Sequence, residues 1–203
     1  NRATTVLYNN DTGVGLLTFL QKMVTDGLAV NVGDNSGTGY DNLLKLADQQ
    51  QAAAMTIATS ASLGPVLDVL DGGQFPNISR DDVGVGPMPG PDGASGALIG
   101  GAALWVVNHD DPLRTAASWD FVQYLVGAEQ QSAWAAATGY VPVRDDARQI
   151  EPYSGTLAAD PRFGVALDQL LSSPDSLTSA GPVVGPLREI RAVLAIAVAA
   201  IAS

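Results

Sequence analysis

Residues 128–143 read AEQQSAWAAATGYVPV, and the way this stretch is read decides the fold. An alanine-rich helix carrying Trp134 runs from about Glu129 to Thr138 and is stopped by Gly139. Tyr140-Val141-Pro142-Val143-Arg144 then leaves as extended chain. Upstream, Asp111-Pro112 starts another helix, with Asp as the cap and Pro in the first turn. Trp119, Phe121, Val122 and Leu125 supply its apolar residues. Before that helix, IGGAALWVV from Ile99 to Val107 reads as a strand with two glycines near its start. The Gly/Pro-rich run from Asp81 to Gly96 opens as a short strand and becomes a crossover between domains.

Further towards the N-terminus, Leu16, Leu17, Leu20, Met23 and Val24 recur at helical spacing between Gly13 and Gly27, after an Asp11-Thr12 cap. A polar loop from Asn31 to Gly39 leads to a second amphipathic helix with Leu43, Leu44, Leu46 and Ala47. AAAMTI, Ala52 to Ile57, reads as a buried strand, and the hydroxyl-rich turn after it enters a helix at Pro65. Downstream of Arg144, Asp160-Pro161 starts a helix through Leu171, and a loop from Ser172 to Pro186 follows. An Ala/Val/Ile-rich helix from Leu187 is expected to be buried or to form an interface, being too short to span a bilayer. Interspersed strands and helices make the fold class α/β. The three tryptophans, Trp105, Trp119 and Trp134, are expected in the core rather than as sugar-stacking platforms.

Composition excludes several classes of function. Ten basic against twenty-one acidic residues leave a net charge of −11, and the two lysines and eight arginines are scattered. No basic patch exists to release counterions from nucleic acid, so no nucleic-acid partner is expected, and anionic lipid would be repelled. The absence of cysteine removes disulfides, thiolate nucleophiles and Cys-based zinc sites. The opening Asn1-Arg2-Ala3-Thr4-Thr5 has no initiator Met and no apolar leader, and reads as the start of a mature or truncated piece.

Catalytic patterns are sparse. His109, the single histidine, sits in a polar loop and reads as a surface residue rather than a triad base. The sequence contains neither a nucleophile elbow nor a phosphate loop. Acidic pairs occur at Asp81-Asp82, Asp110-Asp111 and Asp145-Asp146. A glycosidase would need two such groups across one cleft, whereas at turns and helix starts they read as caps. No calcium-loop pattern is present, and no metal or cofactor is called for. The remaining chemistry is the recognition of a small ligand. Thr59-Ser60-Ala61-Ser62 puts hydroxyls and free N–H groups at a helix start, where a phosphate or polyol would be held; by residue type alone, a Ser/Thr cap is the commoner explanation.

The run from IGGAALWVV through WDFVQYL to Tyr140 resembles the extracytoplasmic solute-binding proteins of ABC importers (family 1). That family follows this helix pair with W-x-x-x-T-G-Y-[LV]-P-[VI], and Trp134, Thr138, Gly139, Tyr140, Val141, Pro142 and Val143 fit. AMTIATSASL from Ala54 to Leu63 and GPLREIRAV from Gly185 to Val193 bring the likeness closest to the branch that binds sn-glycerol 3-phosphate or glycerophosphodiesters. An oligosaccharide-binding relative is the alternative within the family, and an acid-pair glycoside hydrolase or a pure interaction module are alternatives outside it.

The resemblance implies a periplasmic-binding-protein-like fold of type II, with two α/β lobes that close on the ligand. It assigns residues 1–87 to the second lobe, 88–137 to a crossover into the first lobe and 138–203 to the return, with most of the first lobe lying outside the chain. It also implies a non-catalytic protein, periplasmic or extracellular and with or without a lipid anchor. Such a protein captures a small phosphorylated polyol or glycerophosphodiester and delivers it to the transmembrane subunits of a permease. Position by position, it carries the ligand contacts onto the hydroxyl of Thr59 or its neighbour Ser60, the backbone at Gly101, the phenol of Tyr140 and the guanidinium of Arg191. A hydroxyl and a phenol hydrogen-bond ligand oxygens, a glycine lets ligand approach the main chain, and a guanidinium grips an oxyanion through two parallel bonds. Taken by spacing alone, Arg191 could equally pair with Glu189 or a core carboxylate.

Overall fold

A computed structural model of the 203-residue chain describes residues 5, 7–30, 53–90, 97–175, 181 and 184–201. The expected amphipathic helix around Leu43, the polar loop before it and the last part of the Gly/Pro crossover lie outside the described residues. The chain divides into two compact units, one made of Asn1–Asn42 with Ala180–Ser203, the other of Leu43–Ser179.

In the first unit, helix α1 (Asp11–Thr25) packs against the helix Leu187–Ile201. Its cap is Asn10, one residue ahead of the expected Asp11, and the Asn10 Oδ1 accepts from Gly13 N–H at 2.8 Å. The terminal helix forms where its pattern predicts, but none of its described residues is buried and Val193 and Ile196 are largely exposed. The burial expected of it is therefore not found in this unit.

The second unit contains α2 (Leu63–Asp71), α3 (Pro112–Leu125), α4 (Ala128–Thr138), α5 (Tyr153–Ala159) and α6 (Val165–Ser172), and the terminal helix is accordingly α7. Short 3-10 turns cover Ser60–Ser62, Arg80–Asp82, Asp145–Gln149 and Pro161–Gly164. Capping fixes α3 where the sequence places it. Asp111 Oδ1 accepts from the N–H groups of Leu113 (3.0 Å) and Arg114 (3.3 Å), and Pro112 occupies the first turn, where a missing N–H does no harm. Helix α4 ends in a left-handed Gly139, with φ of 71°. Asp160 Oδ1 accepts from Arg162 N–H at 3.1 Å, so Asp160-Pro161 opens a 3-10 turn that runs into α6, where one continuous helix was expected. Helix α5 was not foreseen.

Two small apolar clusters hold this unit. Val66 and Leu70 of α2 pack with Phe75, Ile78 and Val83, while Ala135, Tyr153 and Leu167 pack with Ala136, Val141 and Leu157. The second cluster brings α4, α5 and α6 together around a polar rivet. The fully buried Ser132 hydroxyl donates to the Ile150 carbonyl (2.7 Å) and accepts the Tyr153 N–H (3.1 Å).

The α/β expectation is met only in its helices, because no strand occurs among the described residues. Residues 53–57 and 99–107, read as strands in the sequence, form no regular element and pair with no strand among the described residues, and Ile57, Ile99 and Trp105 stand exposed. The reason is physical. A helix closes its hydrogen bonds within its own segment, whereas a strand borrows them from a neighbour, and among the described residues no strand lies alongside either run. The tryptophan expectation also fails: Trp105, Trp119 and Trp134 are 86%, 56% and 57% exposed, so helical spacing identified an apolar stripe that this unit leaves uncovered.

Candidate functional site

A cavity of about 560 Å³ opens in the second unit between residues 53–59, the first turns of α2 and the run 83–89, with Phe163 and α6 behind. Thr59 and Ser60 line it at the end where the extended chain turns into α2. Thr59 is extended (φ −70°, ψ 150°), and its carbonyl accepts the Ser62 N–H at 3.0 Å, closing the 3-10 turn. Neither the Thr59 nor the Ser62 side chain caps the helix that follows it. Among the described residues the hydroxyls of Thr59, Ser60 and Ser62 have no partner, which removes the capping explanation for this cluster. The Ser60 and Ala61 N–H groups, first in the turn, have no intrahelical acceptor.

The Thr138-Gly139-Tyr140 segment meets this turn. A Cβ built on Gly139 would lie 3.2 Å from the Ser60 carbonyl oxygen and 3.3 Å from the Ala61 Cα, so the two main chains touch there. Thr138 explains its place in the motif. Its hydroxyl donates to the Trp134 carbonyl one helical turn back (2.7 Å) and accepts the Tyr140 N–H (3.3 Å), fixing how the chain leaves α4. The tyrosine is half-exposed and its hydroxyl has no partner among the described residues. Gln131 braces the same exit, donating to the Leu125 carbonyl (2.9 Å) and accepting the Val143 N–H (3.0 Å).

Thr59 and Ser60 thus line the cavity, and Tyr140, which does not line it, follows directly on the Gly139 that touches the Ser60-Ala61 main chain. Gly101 stands elsewhere, in the exposed run 97–109, with open space about it, and does not line the cavity. Arg191 belongs to the other unit, exposed on α7, and among the described residues it pairs with neither Glu189 nor any other carboxylate.

Two cavity-lining residues were missed by the sequence reading. Arg162 is mostly covered and nearly saturated. It grips Asp160 through Nε (2.8 Å) and Nη2 (2.6 Å) and donates from Nη1 to the carbonyls of Arg80 (2.6 Å) and Val83 (2.7 Å). Those hydrogen bonds hold the Asp160 carboxyl below its usual range and raise the Arg162 guanidinium above its own. The signal available was the Asp-Pro-Arg spacing, but the carbonyl partners lie about eighty residues away. Gln169, also buried, places its amide against one residue of the extended run, accepting from Met88 N–H (2.8 Å) and donating to Met88 C=O (2.9 Å).

Among the described residues Asp82 is the one carboxylate lining the cavity. It accepts from the N–H and hydroxyl of Ser79 (2.8 and 2.9 Å), which lowers its pKa and keeps it ionised. Asp111 caps α3, and Asp146 pairs with Arg144 through Nε at 2.8 Å and Nη2 at 2.5 Å, which lowers the Asp146 pKa. In each acidic pair one carboxylate is therefore engaged locally, and no two converge on the cavity. His109 is exposed in its loop. Among the described residues no cluster could hold a metal ion, and no helix is long and apolar enough to cross a membrane.

Residues 2–164 match the profile of the family described as bacterial extracellular solute-binding protein. The chain belongs to that family. Curated relatives include the sn-glycerol-3-phosphate-binding periplasmic protein UgpB of Pectobacterium atrosepticum, 30% identical over 145 residues that make up 70% of this chain and 31% of that protein. The protein of the same name from Yersinia enterocolitica is 31% identical over 67% of this chain and 30% of its own length. The one from Escherichia coli is 28% identical over 70% and 31%. The match thus spans under a third of the length of these relatives. Membership of the solute-binding family implies a periplasmic-binding-protein-like fold, and these relatives are named as binding proteins rather than enzymes.

Proposed function

We propose that the chain is part of a non-catalytic, two-lobed binding protein. It would capture sn-glycerol 3-phosphate or a glycerophosphodiester outside the cytoplasm and hand it to the membrane subunits of an ABC importer. In this reading residues 1–87 and 138–203 build the second lobe and residues 88–137 cross into the first. The supporting observation is the meeting of the Thr59-Ser60 turn, with free hydroxyls and N–H groups, and the Gly139-Tyr140 exit of α4, held by a main-chain contact. Free donors at a helix start suit an oxyanion, and a phenol next along the chain from the touching Gly139 suits the hydroxyls of a polyol. The chain's resemblance to proteins named for sn-glycerol 3-phosphate supplies the ligand.

Arg191 supplies the counter-charge and Gly101 a main-chain contact when the lobes close, a hinge motion that shifts an open–closed equilibrium. The protein resides in the periplasm or at the cell surface, free or lipid-anchored. The test is calorimetric titration of sn-glycerol 3-phosphate, glycerophosphocholine and neutral oligosaccharides into the full-length protein, wild type and Arg191→Ala. Charge-assisted bonds are each worth about 1.5–3 kcal/mol, so losing the bidentate grip weakens phosphate binding by about 100-fold or more. Unchanged phosphate affinity, or binding of neutral sugars alone, overturns the assignment.

A further inference from the structure

Two side chains of α4 act on the main chain that leaves it. Thr138, in the last turn, accepts the Tyr140 N–H through Oγ1 at 3.3 Å, and Gln131, in the first turn, accepts the Val143 N–H through Oε1 at 3.0 Å. The two lie seven residues apart. That is close to two helical turns, so they share one face of α4 and stand about 10.5 Å apart along its axis. Three peptide steps, Tyr140 to Val143, span at most about 11 Å. The outgoing chain therefore turns back along this face with little slack. Between the two clips, Val141 packs against the cluster of Ala135, Tyr153 and Leu167, and Ala135 belongs to the same face.

The Gln131 amide is itself held in one orientation. Its Nε2 donates to the Leu125 carbonyl at 2.9 Å, one of the last-turn carbonyls that α3 cannot satisfy from its own N–H groups. A reversed amide would set oxygen against that carbonyl and a donor against the Val143 N–H, losing both bonds. One side chain thus ties the end of α3 to the chain beyond Tyr140. Tyr140 has no comparable hold of its own. It is 46% exposed, and among the described residues its hydroxyl has no partner, so the course of its main chain decides where the phenol stands. We infer that Gln131 is a positioning residue for Tyr140: by fixing the returning chain at Val143, it sets with Thr138 where the phenol meets the ligand. Gln131 touches no ligand atom in this role. The inference rests on the reading of Tyr140 as a ligand contact, and its test separates the two.

Gln131→Met in the full-length protein keeps the length of the side chain and removes both bonds. Without ligand, amide exchange followed by NMR should quicken about 5–10-fold at both Val143 and Tyr140, while the Ala135 amide keeps its wild-type protection and shows that the unit remains folded. In calorimetric titration with sn-glycerol 3-phosphate, Gln131→Met should weaken binding by about 5–10-fold and Tyr140→Phe by a similar factor. The double variant should bind no more weakly than Tyr140→Phe alone, because Gln131 acts only through the phenol. A purely structural role would weaken both backgrounds by the same factor, and that result overturns the inference. An unchanged Tyr140 amide in Gln131→Met overturns it as well, as does an affinity within about 2-fold of wild type. If the wild type binds no glycerol 3-phosphate, or Tyr140→Phe binds as tightly as wild type, the ligand contact at Tyr140 fails. The exchange rate of the Tyr140 amide in Gln131→Met then decides by itself whether Gln131 sets its place.

Discussion

Replacing Gly139 by alanine perturbs the contact on which the candidate site depends, and its cost separates into two parts. The first is backbone conformation. At φ of +71° an L-residue pays about 1–2 kcal/mol, of which about 0.4–1 kcal/mol is returned because alanine restricts the unfolded chain. The second is space. The new Cβ meets the Ser60 carbonyl oxygen at 3.2 Å and the Ala61 Cα at 3.3 Å, both main-chain atoms that cannot rotate away, and overpacking of this kind costs about 1–3 kcal/mol. Gly73 is the control within the same unit, since its φ is +73° but nothing lies within 4 Å of its Cβ position. Urea unfolding of the two variants should place Gly73→Ala about 1 kcal/mol below wild type and Gly139→Ala a further ~1–3 kcal/mol lower, with unchanged m-values. Gly139→Asn should recover part of the conformational cost and none of the steric cost, because asparagine tolerates this region but still carries a Cβ. Equal destabilisation at positions 73 and 139 would refute the contact between the Thr138-Gly139-Tyr140 segment and the Ser60-Ala61 turn.

Ser132→Ala leaves the Ile150 carbonyl and Tyr153 N–H without their buried partner and should cost about 1–3 kcal/mol in the same unfolding assay. Gln169→Leu removes both bonds to Met88 and should cost about 1–3 kcal/mol, with the Met88 amide exchanging faster than in wild type. The pKa of Asp160 is depressed in the folded state, so its stabilising effect is complete above the unfolded value of about 3.9 and disappears as pH falls through the folded value. Urea midpoints at about pH 5 and pH 3 should therefore fall further for wild type than for Asp160→Asn, and parallel falls would contradict this.

The parts of the structure that were legible in the sequence are those written locally. Asp111-Pro112, Asp160-Pro161 and Gly139 mark boundaries because a cap and the groups it satisfies sit within four residues of each other. Helix α5 escaped because YSGTLAA offers little apolar periodicity. Its start depends instead on Glu151, whose carboxylate accepts from the Ser154 hydroxyl (2.7 Å) and the Gly155 N–H (3.3 Å). The strand expectations are not met among the described residues, since pairing is a property of two segments and each sequence describes one. The candidate site divides in the same way. Thr59, Ser60 and Tyr140 are candidates because turn chemistry and a short motif mark them. Arg162 and Gln169 reach carbonyls about eighty residues distant, and nothing in their own neighbourhood announces that.

The rivet at Ser132 and the brace at Gln131 both grip α4 near its start, while Tyr140 leaves from its far end. Six residues of helix lead from Ser132 to Thr138, where α4 ends, and at the helical rise this is a lever arm of about 9 Å. A tilt of about 10° about that fulcrum carries the exit of α4, from which Tyr140 leaves, through about 1.6 Å, enough to make or break a hydrogen bond. Substitutions on the face of α4 that meets α5, far from any ligand atom, would thus retune the grip of Tyr140 by geometry alone.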